Sequence, residues 1–89
     1  MKNSFDILLS RKASKFIKKS ADLDKKQVNY ILIALKEIRL NPYDSKPLKG
    51  KHVGKRRKRK DPYRIIFKIE KKSNEILILD IGNRSNIYK

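Results

Sequence analysis

The chain is 89 residues long and carries 25 Lys and Arg against 9 Asp and Glu, a formal charge of +16. That length supplies apolar material for one core and not two, so a single domain over residues 1–89 is expected, and the cationic excess points to a polyanionic partner, nucleic acid or an acidic protein. With no cysteine there is neither a disulfide nor thiolate chemistry, and no run approaches the ~20 apolar residues of a membrane-spanning helix or the core of a signal peptide, so a cytoplasmic protein without a membrane role is expected.

Residues 4–9 alternate, with Phe5, Ile7 and Leu9 on one side and Ser4, Asp6 and Leu8 on the other, as in a half-buried strand. Ser10 offers a cap oxygen to a short amphipathic helix in which Ala13, Phe16 and Ile17 recur on one face and Lys12, Lys15, Lys18 and Lys19 on the other. Asp24 followed by Gln27 reads as a capping box, and Val28, Ile31, Leu32, Leu35 and Ile38 then form the apolar stripe of a second helix, which Asn41-Pro42 ends. Tyr30 and Ile33 lie off that stripe; they fit either a groove for a partner helix or, preferred here, a wider core contact.

Pro47, Gly50 and Gly54 make residues 42–54 an irregular connector. The six consecutive cations from Lys55 to Lys60 fit a disordered tract or an edge strand, and the turn chemistry of Asp61-Pro62 directly afterwards favours the strand over 55–59. Period two then places Tyr63, Ile65, Phe67 and Ile69 opposite Arg64, Ile66, Lys68 and Glu70, and a turn at Lys72-Ser73-Asn74 leads into a last strand over 75–82, with Ile76, Ile78 and Asp80 opposite Leu77, Leu79 and Ile81. The order is β-α-α-β-β-β, an α+β domain with an N-terminal helical hairpin packed on one face of an antiparallel sheet.

His52 is the only histidine and reads as a loop residue; without cysteine the usual zinc ligand set is missing, and no metal is expected. No Gly-x-x-x-x-Gly-Lys or Gly-x-Gly-x-x-Gly loop is present, so the common nucleotide-cofactor modes are absent and no cofactor is expected. What remains is a set of guanidinium groups: Arg57 and Arg59 on one face of the edge strand, Arg64 beside Tyr63, and Arg84 near the C-terminus. Guanidinium forks match phosphate oxygens bidentately, although each of these arginines taken singly fits a solvated cation that neutralises phosphate without catalysis.

Three segments in register resemble those of RelE/ParE toxins. Tyr63-Arg64-Ile65-Ile66-Phe67 is similar to the family's Tyr-Arg-Val-Ile-Tyr strand, Leu48-Lys49-Gly50 to the Leu-Lys-Gly before its central hairpin, and Gly82-Asn83-Arg84 with Tyr88 to its closing Gly-His-Arg-x-x-x-Tyr segment. The resemblance covers the full chain and implies a toxin of a type II toxin–antitoxin system. In RelE-type members this is an endoribonuclease (mRNA interferase) that cuts message in the ribosomal A site, inhibiting translation, and its partner is a cognate acidic antitoxin. Carried over by motif, the basic pair before the hairpin turn falls on Arg57 and Arg59, the hairpin arginine on Arg64, the closing arginine on Arg84 and the terminal tyrosine on Tyr88. Lys49, Lys51, Lys55, Arg56, Lys58 and Lys60 are then expected to line the RNA path. The chain departs from the pattern at Asn83, where a histidine is common and where asparagine does not shuttle protons. It departs again at Arg56, Lys58 and Lys60, which replace inward apolar residues and must snorkel or stay wet.

RNA carries its own nucleophile in the 2′-hydroxyl, so such a site needs to position the backbone, help deprotonation and neutralise charge on phosphorus and the leaving 5′-oxygen, with no metal required. Arg64 and Arg84 would hold the scissile phosphate and Arg57 and Arg59 would flank it, while the proton acceptor is open between Tyr88, Lys55 and the ribosome. Tyr88 equally fits an aromatic that covers the sheet end. Two rival readings stand beside this one: a ParE-like inhibitor of DNA gyrase without RNase activity, and a degenerate nucleic-acid-binding module whose affinity falls steeply with salt.

Overall fold

Ser10 sets the geometry of the first layer. Its side-chain oxygen accepts a hydrogen bond from the Ala13 amide at 3.0 Å and its hydroxyl donates to the Leu79 carbonyl at 2.8 Å, so one residue caps a helix and ties it to the far end of the chain. The structure, a computed structural model, describes residues 5–83. In chain order these form β1 (Asp6–Leu9), α1 (Arg11–Leu23), α2 (Lys25–Leu40), β2 (Lys46–Pro47), a 3₁₀ turn (Gly50–His52), β3 (Arg56–Lys60), β4 (Tyr63–Glu70) and β5 (Glu75–Asn83). The five strands make one sheet in the order β1-β5-β4-β3-β2. No helix among the described residues is long and apolar enough to cross a membrane.

The expected α+β class and element order are present. The antiparallel expectation holds from β2 to β5 and fails at one edge, where β1 lies parallel to β5, from Asp6 opposite Glu75 to Leu9 opposite Ile78. The two strands are not joined directly: the helical hairpin and then three strands of alternating direction lie between them, and β5 ends that series running the same way as β1. The basic run forms a strand as expected, over Arg56–Lys60, but it is not at the edge of the sheet: the two residues of β2 pair along its outer side and take that place.

The core lies between the hairpin and the sheet. Ala13 of α1 and Ile31, Ala34, Leu35 and Ile38 of α2 pack against Ile65, Phe67, Ile76, Ile78 and Ile81, with Phe5, Ile7, Phe16, Ile17 and Ile69 at its margin. Two sequence expectations shift here. The buried stripe of α2 runs through Ala34 and not Leu32, which is exposed, because the helix turns its small residue towards the sheet for close approach. On β5, strict alternation places Asp80 with Ile76 and Ile78, but a bulge intervenes: Ile66 pairs with Asp80 and Phe67 with Ile78, leaving Leu79 unpaired in the ladder. One extra residue changes the phase, so Ile81 enters the core and Asp80 turns to the other face.

Asp24 caps α2 through Lys26, whose amide donates to its carboxylate at 2.9 Å. The capping box does not close, since the Asp24 amide itself donates to the Ser20 carbonyl at 2.8 Å and is not available to Gln27.

Candidate nucleic-acid interface

Residues directly opposite one another in a ladder share a face of the sheet. On the face turned away from the helices the register therefore sets out two rows: Lys46, Arg57, Ile66 and Asp80 across β2, β3, β4 and β5, and Arg59, Arg64 and Gly82 across β3, β4 and β5. Along a strand the rows are two residues apart, ~6.6 Å, close to the spacing of successive phosphates in a nucleic-acid strand. Arg57, Arg59 and Arg64 are thus brought together, as the sequence led us to expect.

Arg59 and Arg64 face each other directly, an arrangement that destabilises a ladder unless an anion lies between them. The anion is Asp61, in the turn that joins β3 and β4: its Oδ1 accepts from Arg59 Nε at 3.3 Å and from Arg64 Nη1 at 3.4 Å. Arg64 is the more confined of the two, its side chain 8 % exposed against 56 % for Arg59. The turn is fixed from the helical layer by Tyr30, whose hydroxyl donates to the Asp61 carbonyl at 2.9 Å. The Tyr30 ring lies 6.4 Å from that of Tyr63, which meets Phe16 edge-on at 6.1 Å. Tyr30 therefore positions the turn, with its ring beside Tyr63 at the margin of the core. Ile33 is exposed.

The expected RNA-lining set divides. Arg56, Lys58 and Lys60 alternate with Arg57 and Arg59 and so project to the helical side of the sheet. Lys60 and Lys58 reach Glu37 of α2 at 3.2 and 3.5 Å, and Lys60 also sits 5.2 Å from the Tyr30 ring centre. The hydrogen bond from Lys60, aided by the charge of Lys58, holds the Glu37 carboxyl below its usual range. Arg56 donates from Nε to Ser45 Oγ at 2.7 Å and from Nη2 to the Tyr43 and Ser45 carbonyls at 3.2 and 2.9 Å, pinning the connector. On this placement the three lie on the other side of the sheet from Arg57, Arg59 and Arg64, and are held by α2 and the connector. They snorkel as foreseen, onto a carboxylate and loop carbonyls in place of an apolar core.

Lys49 and Lys51 are exposed at the 3₁₀ turn and Lys55 is half-buried just before β3. Arg84 and Tyr88 lie outside the described residues. Sequence reasoning missed Lys46, which enters the first row because two residues of the connector pair as a strand, and Asp61, which was read only as turn chemistry. The signal for Asp61 was its spacing, two residues after Arg59 and three before Arg64. Asp80, turned outward by the bulge, is held by Lys12 of α1 at 3.2 Å. Among the described residues no group of three or more His, Asp or Glu side chains could hold a metal ion.

A helical hairpin on one face of a five-stranded mixed sheet, with the opposite face bearing paired arginines, defines a RelE-like toxin fold. Solved structures agree. The toxin–antitoxin complex RelBE2 of Mycobacterium tuberculosis superposes with a TM-score of 0.79 at 19 % identity, over 91 % of this chain and 99 % of that one. The YoeB/ParE toxin of Agrobacterium tumefaciens gives 0.80 at 13 %, over 90 % and 99 %. The YoeB dimer of Staphylococcus aureus gives 0.70 at 26 %, over 85 % and 92 %. No curated protein sequence matches the chain. Residues 7–88 match the family model described as the ParE toxin of type II toxin–antitoxin systems, parDE, and the chain belongs to that family within the RelE/ParE superfamily.

Proposed function

We propose that the chain is the toxin of a type II pair that acts as a ribosome-dependent, metal-independent endoribonuclease on mRNA in the A site. The observation that carries this reading is the Arg59–Asp61–Arg64 arrangement: two opposed guanidinium groups held in place by one exposed carboxylate, beside a row containing Lys46 and Arg57. A phosphate entering this face replaces the carboxylate without moving the arginines, which is the preorganisation that electrostatic catalysis requires.

In this mechanism Arg64 and Arg84 hold the scissile phosphate, Arg57 and Arg59 stabilise the charge that develops on phosphorus and the leaving 5′-oxygen, and Tyr88 orients a nucleotide. The 2′-hydroxyl attacks in line and needs a proton acceptor, for which Tyr88, Lys55 and the ribosome remain the candidates. Lys46, Lys49, Lys51 and Lys55 extend the cationic path at the β2 edge. The cognate antitoxin would neutralise the same face with acidic residues, and M. tuberculosis RelBE2 is itself a toxin–antitoxin complex.

The match to the ParE family supports a second reading, inhibition of DNA gyrase through protein contacts without RNA cleavage. The two are separated by adding the protein to a cell-free translation reaction and, in parallel, to a gyrase supercoiling reaction. Cut messages at ribosome-occupied codons with unimpaired supercoiling support the nuclease; intact messages with blocked supercoiling overturn it in favour of gyrase.

A further inference from the structure

A concave feature lies away from the arginine face. At the end of the sheet where the connector meets the β4–β5 turn is a cavity of about 680 Å³, within the ~300–1,000 Å³ range of small-ligand sites. Its walls combine an apolar surface from Pro47, Leu48, Val53 and Ile69 with the ring of Tyr43, and its rim carries Lys55, Lys71 and Lys72. Tyr43 is 49 % exposed and Val53 74 % exposed, large apolar groups left in water. The Arg56 guanidinium stands 5.5 Å from the centre of the Tyr43 ring and Lys71 Nζ 5.6 Å from it. Arg56 is committed to the connector by its bonds to Ser45 and the Tyr43 carbonyl, so the ring is held on a fixed support. The one carboxylate in the lining, Glu70, is paired with Lys68 at 3.7 Å, which leaves the cavity strongly cationic.

We infer that this cavity binds one unstacked nucleotide of single-stranded RNA, its base against Tyr43 and Val53 and its phosphate on Lys55, Lys71 and Lys72. The inference rests on RNA being the substrate class proposed above and adds a second contact to it. An aromatic ring bordered by cations is the arrangement that stacks a base and neutralises its phosphate together. A peptide strand fits less well, because the adjoining edge, β2, is only two residues long and one of them, Pro47, has no amide hydrogen to donate. Pro47 and Arg56 are direct neighbours of Lys46 and Arg57 of the arginine face, so a strand that rounds the β2 edge reaches both sites within one or two nucleotides.

The test is an amide chemical-shift titration of the full chain with adenosine 5′-monophosphate, then with an oligouridylate of six residues and, separately, a hexaglutamate peptide. Saturable shifts at Tyr43, Val53, Lys71 and Lys72 on addition of nucleotide are expected. Tyr43→Leu, on a half-exposed side chain, should lower affinity for the hexanucleotide roughly five- to a hundredfold, while Tyr43→Phe should retain it. Shifts confined to Arg57, Arg59 and Arg64 would overturn the cavity site and leave the arginine face intact. Shifts confined to the cavity would support it and count against the arginine face as the RNA surface. Binding of hexaglutamate at the cavity in preference to RNA would overturn the assignment of its occupant.

Discussion

Glu37 offers a sharp test of what holds Lys58 and Lys60 on the helical side of β3. Replacing it by Gln keeps the shape of the side chain and removes the charge that holds Lys58 and Lys60. At 3.2 and 3.5 Å in a water-like dielectric each pair is worth about 1.2–1.3 kcal/mol before entropy and screening are subtracted. Glu37 is 44 % exposed, so each pair is discounted to about 0.5 kcal/mol, about 1 kcal/mol for both. For a domain of this size that lowers Tm by about 4–8 °C. The Glu37 carboxyl is held below its usual range in the fold, so its contribution is complete above the unfolded value of ~4.3 and is lost as pH falls through the lowered native value. Thermal melts of wild type and Glu37→Gln should therefore differ at pH 7 in low salt, and converge in strong acid or at ~1 M salt. A gap that persists in acid, or that ignores salt, would refute the ion-pair reasoning. Markedly tighter RNA binding by Glu37→Gln, with a steeper salt dependence, would place Lys58 and Lys60 on the RNA path after all.

Asp61→Asn should cost about 0.5–1 kcal/mol of stability while tightening RNA binding, and fluorescence anisotropy across a salt series should show a slope steeper by about one. Arg59→Ala should leave Tm within ~1–2 °C of wild type and reduce cleavage on translating ribosomes by ~10²- to 10³-fold; an unchanged rate would remove Arg59 from the chemistry. Ser10→Ala deletes both a helix cap and the donor to the Leu79 carbonyl, so denaturant titration should report a loss of about 1–3 kcal/mol. Phe67→Ala, at a fully buried side chain, should cost about 3–5 kcal/mol in the same measurement, enough to leave the domain marginal.

Much of the fold is legible in the sequence because local chemistry and periodicity agree. Ser10 and Asp24 are caps, Asn41-Pro42 is a stop, and Tyr63 to Ile69 alternates cleanly into the core. What escapes is non-local. The parallel placement of β1 depends on its pairing with β5, at the far end of the described chain, and leaves no mark in residues 6–9. The Leu79 bulge carries no Gly or Asn to announce it, and it alone decides that Asp80 faces outward. β2 is hidden in a segment rich in turn-formers, since two residues are too few to show a period.

The arginine face was legible for the opposite reason. Arg57, Arg59 and Arg64 alternate with residues of other roles, and a period of two assigns them one side without any knowledge of their partners. Composition alone could not sort the six consecutive cations. Alternation separates them into two faces, but that Glu37 and Ser45 hold the inner one depends on which helix and loop pack behind β3.

The nuclease proposal is tested most directly by mapping RNA 5′ ends in a cell-free translation reaction with wild type and with the double variant Arg84→Ala, Tyr88→Phe. Cleavage within ribosome-occupied codons by wild type, reduced by at least ~10²-fold in the double variant, is the expected result. Intact message with unimpaired translation in the presence of folded wild-type protein would contradict it.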